Sequence, residues 1–173
     1  PQVMAPFWQR LGHPLRNLVP FFGVLILLLL TIVPLHIPAY AVIVPMLPLT
    51  AVYYWGLYRS DLLPTIAVFF VGLLQDFLSG APIGLNAAIL LLVYETVVSQ
   101  RRYLLHESFS IAWASFMVVA AGASALQWAG LSLLAWTPRD PGPGIFQYFL
   151  TVALYPCLAW FYAQTQKIIL RQA

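Results

Sequence analysis

Apolar residues along this chain come in long, nearly unbroken stretches, and the polar and charged residues gather in the short gaps between them. A stretch needs about 20 residues to cross a hydrocarbon core of ~30 Å, and the chain holds roughly six such stretches with little left over. The pattern predicts helices at about Leu18–Leu35, Ala39–Tyr58, Leu62–Leu78, Leu85–Val98, Ser110–Ala135 and Ile145–Ile169. The expected architecture is all-α, a polytopic membrane bundle of about six transmembrane helices forming one integral membrane domain over residues 1–173. No internal repeat, low-complexity tract or domain linker interrupts it.

Punctuation refines the helices. Asp61 is positioned to cap the first turn of the third helix, with Pro64 tolerated just inside it, where the N–H groups have no intrahelical partner. Pro45 and Pro48 fall inside the expected second helix. Each removes a backbone hydrogen bond there, so a kink or break is predicted. The fourth helix is short for a full crossing unless Gln100 to Leu105 extend it. Thr137–Gly144, with three prolines and two glycines, reads as a loop.

Composition sharpens the setting. Of 173 residues 62% are hydrophobic and only 8% charged, with a mean hydropathy of +0.86, whereas an ordinary soluble domain carries about 25% charged residues. No separate soluble catalytic domain fits within such a chain. The net charge of +3 does not form a nucleic-acid patch, because the basic residues are dispersed among the gaps. In a six-helix arrangement Arg10, Arg16, Arg59, Arg101, Arg102, Lys167 and Arg171 share one side and Arg139 lies on the other. Retention of Lys and Arg in the cytoplasm then predicts two cytoplasmic termini. The basic, apolar N-terminus followed by Ala39-Tyr40-Ala41 resembles a cleavable signal, but a signal anchor or first span is expected. Tyr53, Tyr54, Trp55, Tyr58, Trp113, Trp136, Tyr148, Trp160 and Tyr162 suit interfacial belts, some of them filling the bundle instead.

Candidate chemistry is sparse. The lone Cys157 excludes an intramolecular disulfide and is expected to be a small core residue. His13, His36 and His106 are expected in loops, leaving Ser124 without a membrane-embedded base. The five carboxylates are scattered over both faces, so no metal site, cofactor site or acid/base pair is expected. Glu95 is read as snorkelling toward Arg101, Arg102 or Arg59.

The informative exception is Asp76, a carboxylate set just before a Gly/Pro turn between two apolar runs. An unpaired carboxylate at the bilayer centre costs about 2.5–3.5 kcal/mol on insertion scales, so it must face protein or water. The free backbone N–H groups near Asn86, where the fourth helix begins, are the nearest partners. Gly80 and Gly84 supply unusual backbone angles and Pro82 stiffens the turn. In one reading Asp76 and Asn86 staple this hairpin; in the other Asp76 receives a partner's polar group or a translocated cation. Both readings can hold together. On the fifth helix the small residues around Ala121, Gly122 and Ala125 form a face for close helix packing, within the bundle or against a partner.

Gly72, Asp76, Gly80, Pro82, Gly84, Leu85 and Asn86, after a Pro- and Tyr-rich second span ending Tyr53-Tyr54-Trp55-Gly56-Leu57-Tyr58-Arg59, carry a family resemblance. The chain resembles the rod shape-determining protein MreD family over nearly its whole length. That resemblance implies a non-enzymatic inner-membrane scaffold of the bacterial cell-elongation machinery that binds the bitopic protein MreC. Through MreC it implies contact with the MreB filament and the glycosyltransferase–transpeptidase pair of lateral peptidoglycan synthesis. It also implies an architecture similar to the membrane substrate-binding subunits of energy-coupling-factor transporters, although few polar groups are expected to line a closed pocket. Membrane lipid is the other expected contact, and nucleic acid is not. A small-molecule-binding transporter subunit, or an ion-coupled carrier using Asp76 and Glu95, are the alternatives from other classes.

Overall fold

The computed structural model describes residues 7–32 and 45–171. The expected end of the first helix at Leu35, the start of the second at Ala39, the Ala39-Tyr40-Ala41 segment and His36 lie outside the described residues. Six helices and no strand are present among them: α1 Phe7–Ile32, α2 Leu47–Tyr58, α3 Thr65–Ser79, α4 Leu85–Leu104, α5 Phe109–Ala135 and α6 Gly142–Arg171.

Contacts between them set the topology. α3 and α4 form an antiparallel hairpin, with Asp76 at one end against residues 84–87 and Tyr94 at the other donating to the Leu63 carbonyl. α5 lies antiparallel to α4 through Leu85–Gly130 and Asn86–Gln127, and to α6 through Tyr148–Met117 and Trp113–Val152. One end of the bundle therefore gathers the Arg59–Pro64 turn, the Leu105–Ser108 turn and the last turns of α6. The other gathers the Gly80–Gly84 turn and the Trp136–Pro141 loop.

At the centre stands α2, with Pro48 to Leu57 all buried. Twelve residues make a helix of about 18 Å, and the fifteen of α3 about 22 Å, both short of the ~30 Å hydrocarbon core. The ends of a helix wrapped in protein are shut off from water, so its terminal groups need protein partners. α2 has them. The Met46 N–H donates to Thr151 Oγ1 (3.0 Å), whose hydroxyl in turn donates to the Gln147 carbonyl (2.7 Å). At the other end Arg101 Nε donates to the Leu57 carbonyl (3.0 Å), Nη2 to that of Tyr58 (3.3 Å) and Nη1 to Ser60 Oγ (3.0 Å). A cation on the last carbonyls of a helix also meets the negative end of its dipole.

Several expectations are corrected here. α2 begins after Pro45 and holds Pro48 in its first turn, where no intrahelical bond is lost, so neither proline interrupts it. α3 begins at Thr65 with Pro64 before it; Asp61 instead forms an exposed ion pair with Arg59 (3.1 Å), whose guanidinium holds the Asp61 carboxyl below its ordinary pKa. α4 runs on to Leu104, and α6 starts at Gly142, because Pro143 fits a first turn as well as a loop. α1 reaches back to Phe7, so His13 is helical rather than in a loop. Tyr53, Tyr54, Trp55 and Tyr162 are core residues, whereas Trp136 and Trp160 are exposed. Cys157 is exposed as well. Arg101 turns toward α2, and Glu95 forms no ion pair among the described residues.

Packing around α2 is aromatic. Tyr53 meets Phe116 edge-on at 5.1 Å between ring centres, and Phe116 stacks on Tyr155 at 4.2 Å; such pairs contribute about 0.5–1.5 kcal/mol beyond burial. The outer faces are apolar too, with Leu29, Phe70, Leu92, Val118 and Phe161 exposed. A soluble monomer does not sustain so much contiguous apolar surface, but lipid does.

Two tyrosines separate hydrogen bonding from ring packing. The Tyr53 hydroxyl donates to the Ala112 carbonyl (2.8 Å), while that of Tyr155 is buried with no partner. Tyr53→Phe should lower thermal stability by about 1 kcal/mol. Tyr155→Phe should leave it unchanged or raised, as read by melting of the purified protein in detergent.

Candidate functional site

The hairpin of α3 and α4 is built around a missing side chain. A Cβ on Gly72 would stand 2.3 Å from the Ala87 Cα and 2.9 Å from its N, so the two backbones approach as only glycine permits. One turn further along the same face comes Asp76, whose side chain is wholly buried. α3 then stops at Gly80 in the left-handed conformation (φ 66°), Pro82 accepts a turn bond from the Leu85 N–H (3.2 Å), and Gly84 (φ 98°) precedes the first residue of α4. Both glycine angles lie where L side chains are strained.

This turn aims the open N-terminus of α4 back at Asp76. Oδ1 accepts from the Asn86 N–H (2.9 Å), and Oδ2 from the N–H groups of Gly84 (2.8 Å) and Ala87 (3.4 Å). The carboxylate thus caps a helix two turns of chain away rather than its own, using charge-assisted bonds aligned with the helix dipole. Asn86 is buried beside it and accepts through Oδ1 from Gln127 Nε2 on α5 (3.3 Å). Leu85 presses on Gly130 of α5, where a Cβ would meet it at 2.5 Å. Asp76, Gly80, Pro82, Gly84 and Asn86 therefore form one structure. At its tip Ile83 is 81% exposed.

Other candidate residues stand apart. On α5 it is Ala120 and Ala123 that turn inward, leaving Ala121, Gly122 and Ala125 on the exposed side. Ala121 and Ala125 border an apolar pocket of about 270 Å³ shared with Trp128, Ile145 and Tyr148. Glu95 is exposed and lies nine residues beyond Asn86 along α4, about 13 Å. It does not join Asp76, whose oxygens are already engaged. Ser124 points its hydroxyl at Met46 Sδ (3.8 Å). No group of three or more His, Cys, Asp or Glu side chains is found among the described residues.

Beside the hairpin, the structure gathers polar residues that the linear pattern left dispersed. Gln75, Ser79, Asn86, Gln127 and Arg139 border a cleft of about 850 Å³ at the same end of the bundle. The signal was present as glutamines inside otherwise apolar helices; their convergence from α3 and α5 was not.

Helices alone among the described residues, with α5 and residues Gly142–Ile168 of α6 long and apolar enough to cross a bilayer, are compatible with a helical membrane protein. The chain belongs to the rod shape-determining protein MreD family, whose model matches residues 13–165. It is therefore a rod-shape-determining protein of the inner membrane. No curated protein and no solved structure matches the chain at comparable significance.

Removing the Asp76 carboxylate strands three backbone donors. Asp76→Ala should destabilise by about 3 kcal/mol or more, roughly 6–12 °C in melting temperature. Asp76→Asn keeps the shape but only one accepting oxygen, and should fall between. Gly72→Ala, forcing the backbones apart, should cost about 1–3 kcal/mol. Thermal melts of the three purified variants check this order.

Proposed function

We propose that this protein is a non-enzymatic membrane scaffold subunit of the bacterial cell-elongation complex, binding a bitopic MreC-like partner and, through it, MreB and the glycosyltransferase–transpeptidase pair of lateral wall synthesis. Membership of the MreD family carries this reading. The bundle crosses the membrane six times with both termini in the cytoplasm. The gathering of Arg59, Arg101, Arg102, Lys167 and Arg171 toward one end of the bundle supports that orientation, with Arg139 alone in the opposite loop.

In this reading the hairpin-stabilising role belongs to Asp76, Gly80, Pro82, Gly84 and Asn86. Capped and closely packed, the turn is a rigid platform whose Ile83 and neighbouring Phe77 (77% exposed) meet the periplasmic part of the partner. The partner's single transmembrane helix packs against the small-residue side of α5 at Ala121, Gly122 and Ala125, where short side chains let a second backbone come close. Nothing in the arrangement asks the scaffold to turn over a substrate.

Co-expression with a tagged MreC-like protein tests this. A stoichiometric complex should survive detergent extraction. Gly122→Leu with Ala125→Leu should abolish the complex while leaving the melting temperature of the isolated scaffold within about 2 °C, since both positions are exposed. Failure of the wild-type pair to co-purify, or full retention by the double variant, would refute the scaffold reading or its helix face respectively.

A further inference from the structure

We infer that the cleft beside the α3–α4 turn is a binding site for a lipid with a phosphate-bearing, hydroxyl-rich headgroup, lined by residues other than the Ala121, Gly122 and Ala125 face proposed for the partner's helix. Its rim holds amides and a hydroxyl from three helices, Gln75 and Ser79 of α3, Asn86 of α4 and Gln127 of α5, together with Arg139 from the loop before α6. Its apolar wall is Leu28, Leu131 and Leu134. At about 850 Å³ the cleft is in the size range of sites that enclose a ligand of some tens of atoms.

The polar groups are unevenly satisfied, and that unevenness defines the occupant. Gln75 Oε1 is buried with no partner. An orphan amide at this depth is costly unless something donates to it, and hydroxyls do. The Arg139 guanidinium makes no hydrogen bond or ion pair among the described residues; only its backbone carbonyl is used, accepting from Trp128 Nε1 (3.0 Å). Neither nearby carboxylate pairs with it: Asp76 accepts from backbone amides of α4 and its preceding turn, and Asp140 Oδ1 accepts from the Gly142 N–H (3.0 Å). The cleft therefore offers one uncompensated cation and several amides, which match a phosphate flanked by hydroxyls. The leucine wall matches the start of an acyl chain. A zwitterionic choline headgroup brings a second cation toward Arg139 and lacks the hydroxyls for Gln75.

Native mass spectrometry of the full purified chain, titrated with phosphatidylglycerol or phosphatidylcholine of the same acyl chains, reads this directly. Phosphatidylglycerol should be retained about fivefold or more over phosphatidylcholine. Arg139→Gln, in an exposed loop, should erase that preference without shifting the melting temperature, and Gln127→Leu should weaken retention of phosphatidylglycerol. Arg102→Gln, exposed at the opposite end of the bundle, should leave the preference intact. Equal retention of the two lipids, a preference untouched by Arg139→Gln, or an equal loss with Arg102→Gln would overturn the site in favour of general surface charge. Displacement of the lipid by soluble glycerol phosphate would overturn the lipid assignment and give the site to a soluble phosphate.

Discussion

Backbone amides and carbonyls left over at the ends of helices have no water to turn to inside a bilayer, and this fold is arranged around supplying them with partners. Three caps come from neighbouring helices: Asp76 of α3 on the start of α4, Arg101 of α4 on the end of α2, and Thr151 of α6 on the start of α2. Each charged cap has the sign that the dipole it faces requires. Three of the polar side chains in an apolar chain are thereby accounted for. They satisfy both ends of the short α2 with protein groups, and they tie α2 and α3 to longer neighbours.

Close packing does the remaining work. Gly72 against Ala87 brings α3 and α4 into backbone contact, and that approach puts the Asp76 oxygens within reach of the Gly84, Asn86 and Ala87 amides. Separating the helices by the width of a methyl group would lengthen all three bonds together. The aromatic stack of Tyr53, Phe116 and Tyr155 plays the same part for α2, α5 and α6. The proposed scaffold role calls for such a fixed surface more than a moving one.

The sequence was most readable where a physical cost was concentrated in one residue. A carboxylate four residues before a glycine, between two apolar runs, pointed to the α3–α4 turn, and the amides near Asn86 were the nearest groups able to meet it. Boundaries were less readable because one residue type serves two purposes. Asp61 looks like a helix cap but pairs with Arg59, and Pro143 looks like a loop residue but opens α6. Tyr53, Tyr54 and Trp55 have the composition of an interfacial belt; only the burial of α2 on every side shows them to be core. Sequence proximity offers Arg101, Arg102 or Arg59 to Glu95, whereas the carbonyl partners of Arg101 lie over 40 positions away on α2. Convergence of Gln75 and Gln127 on one cleft depends on helix rotation, which an apolar stretch with no polar face does not encode.

The reach of Asp76 across the turn also bears on how the chain enters the membrane. In the proposed six-span arrangement, α3 threaded alone would carry an uncompensated anion into hydrocarbon, at about 2.5–3.5 kcal/mol on the translocon scale. Threaded together with α4, it arrives with its counter-dipole already in place. On that arrangement the hairpin, rather than the single helix, is the unit that carries its own charge compensation, because the Asp76 oxygens and the Gly84, Asn86 and Ala87 amides satisfy one another within it.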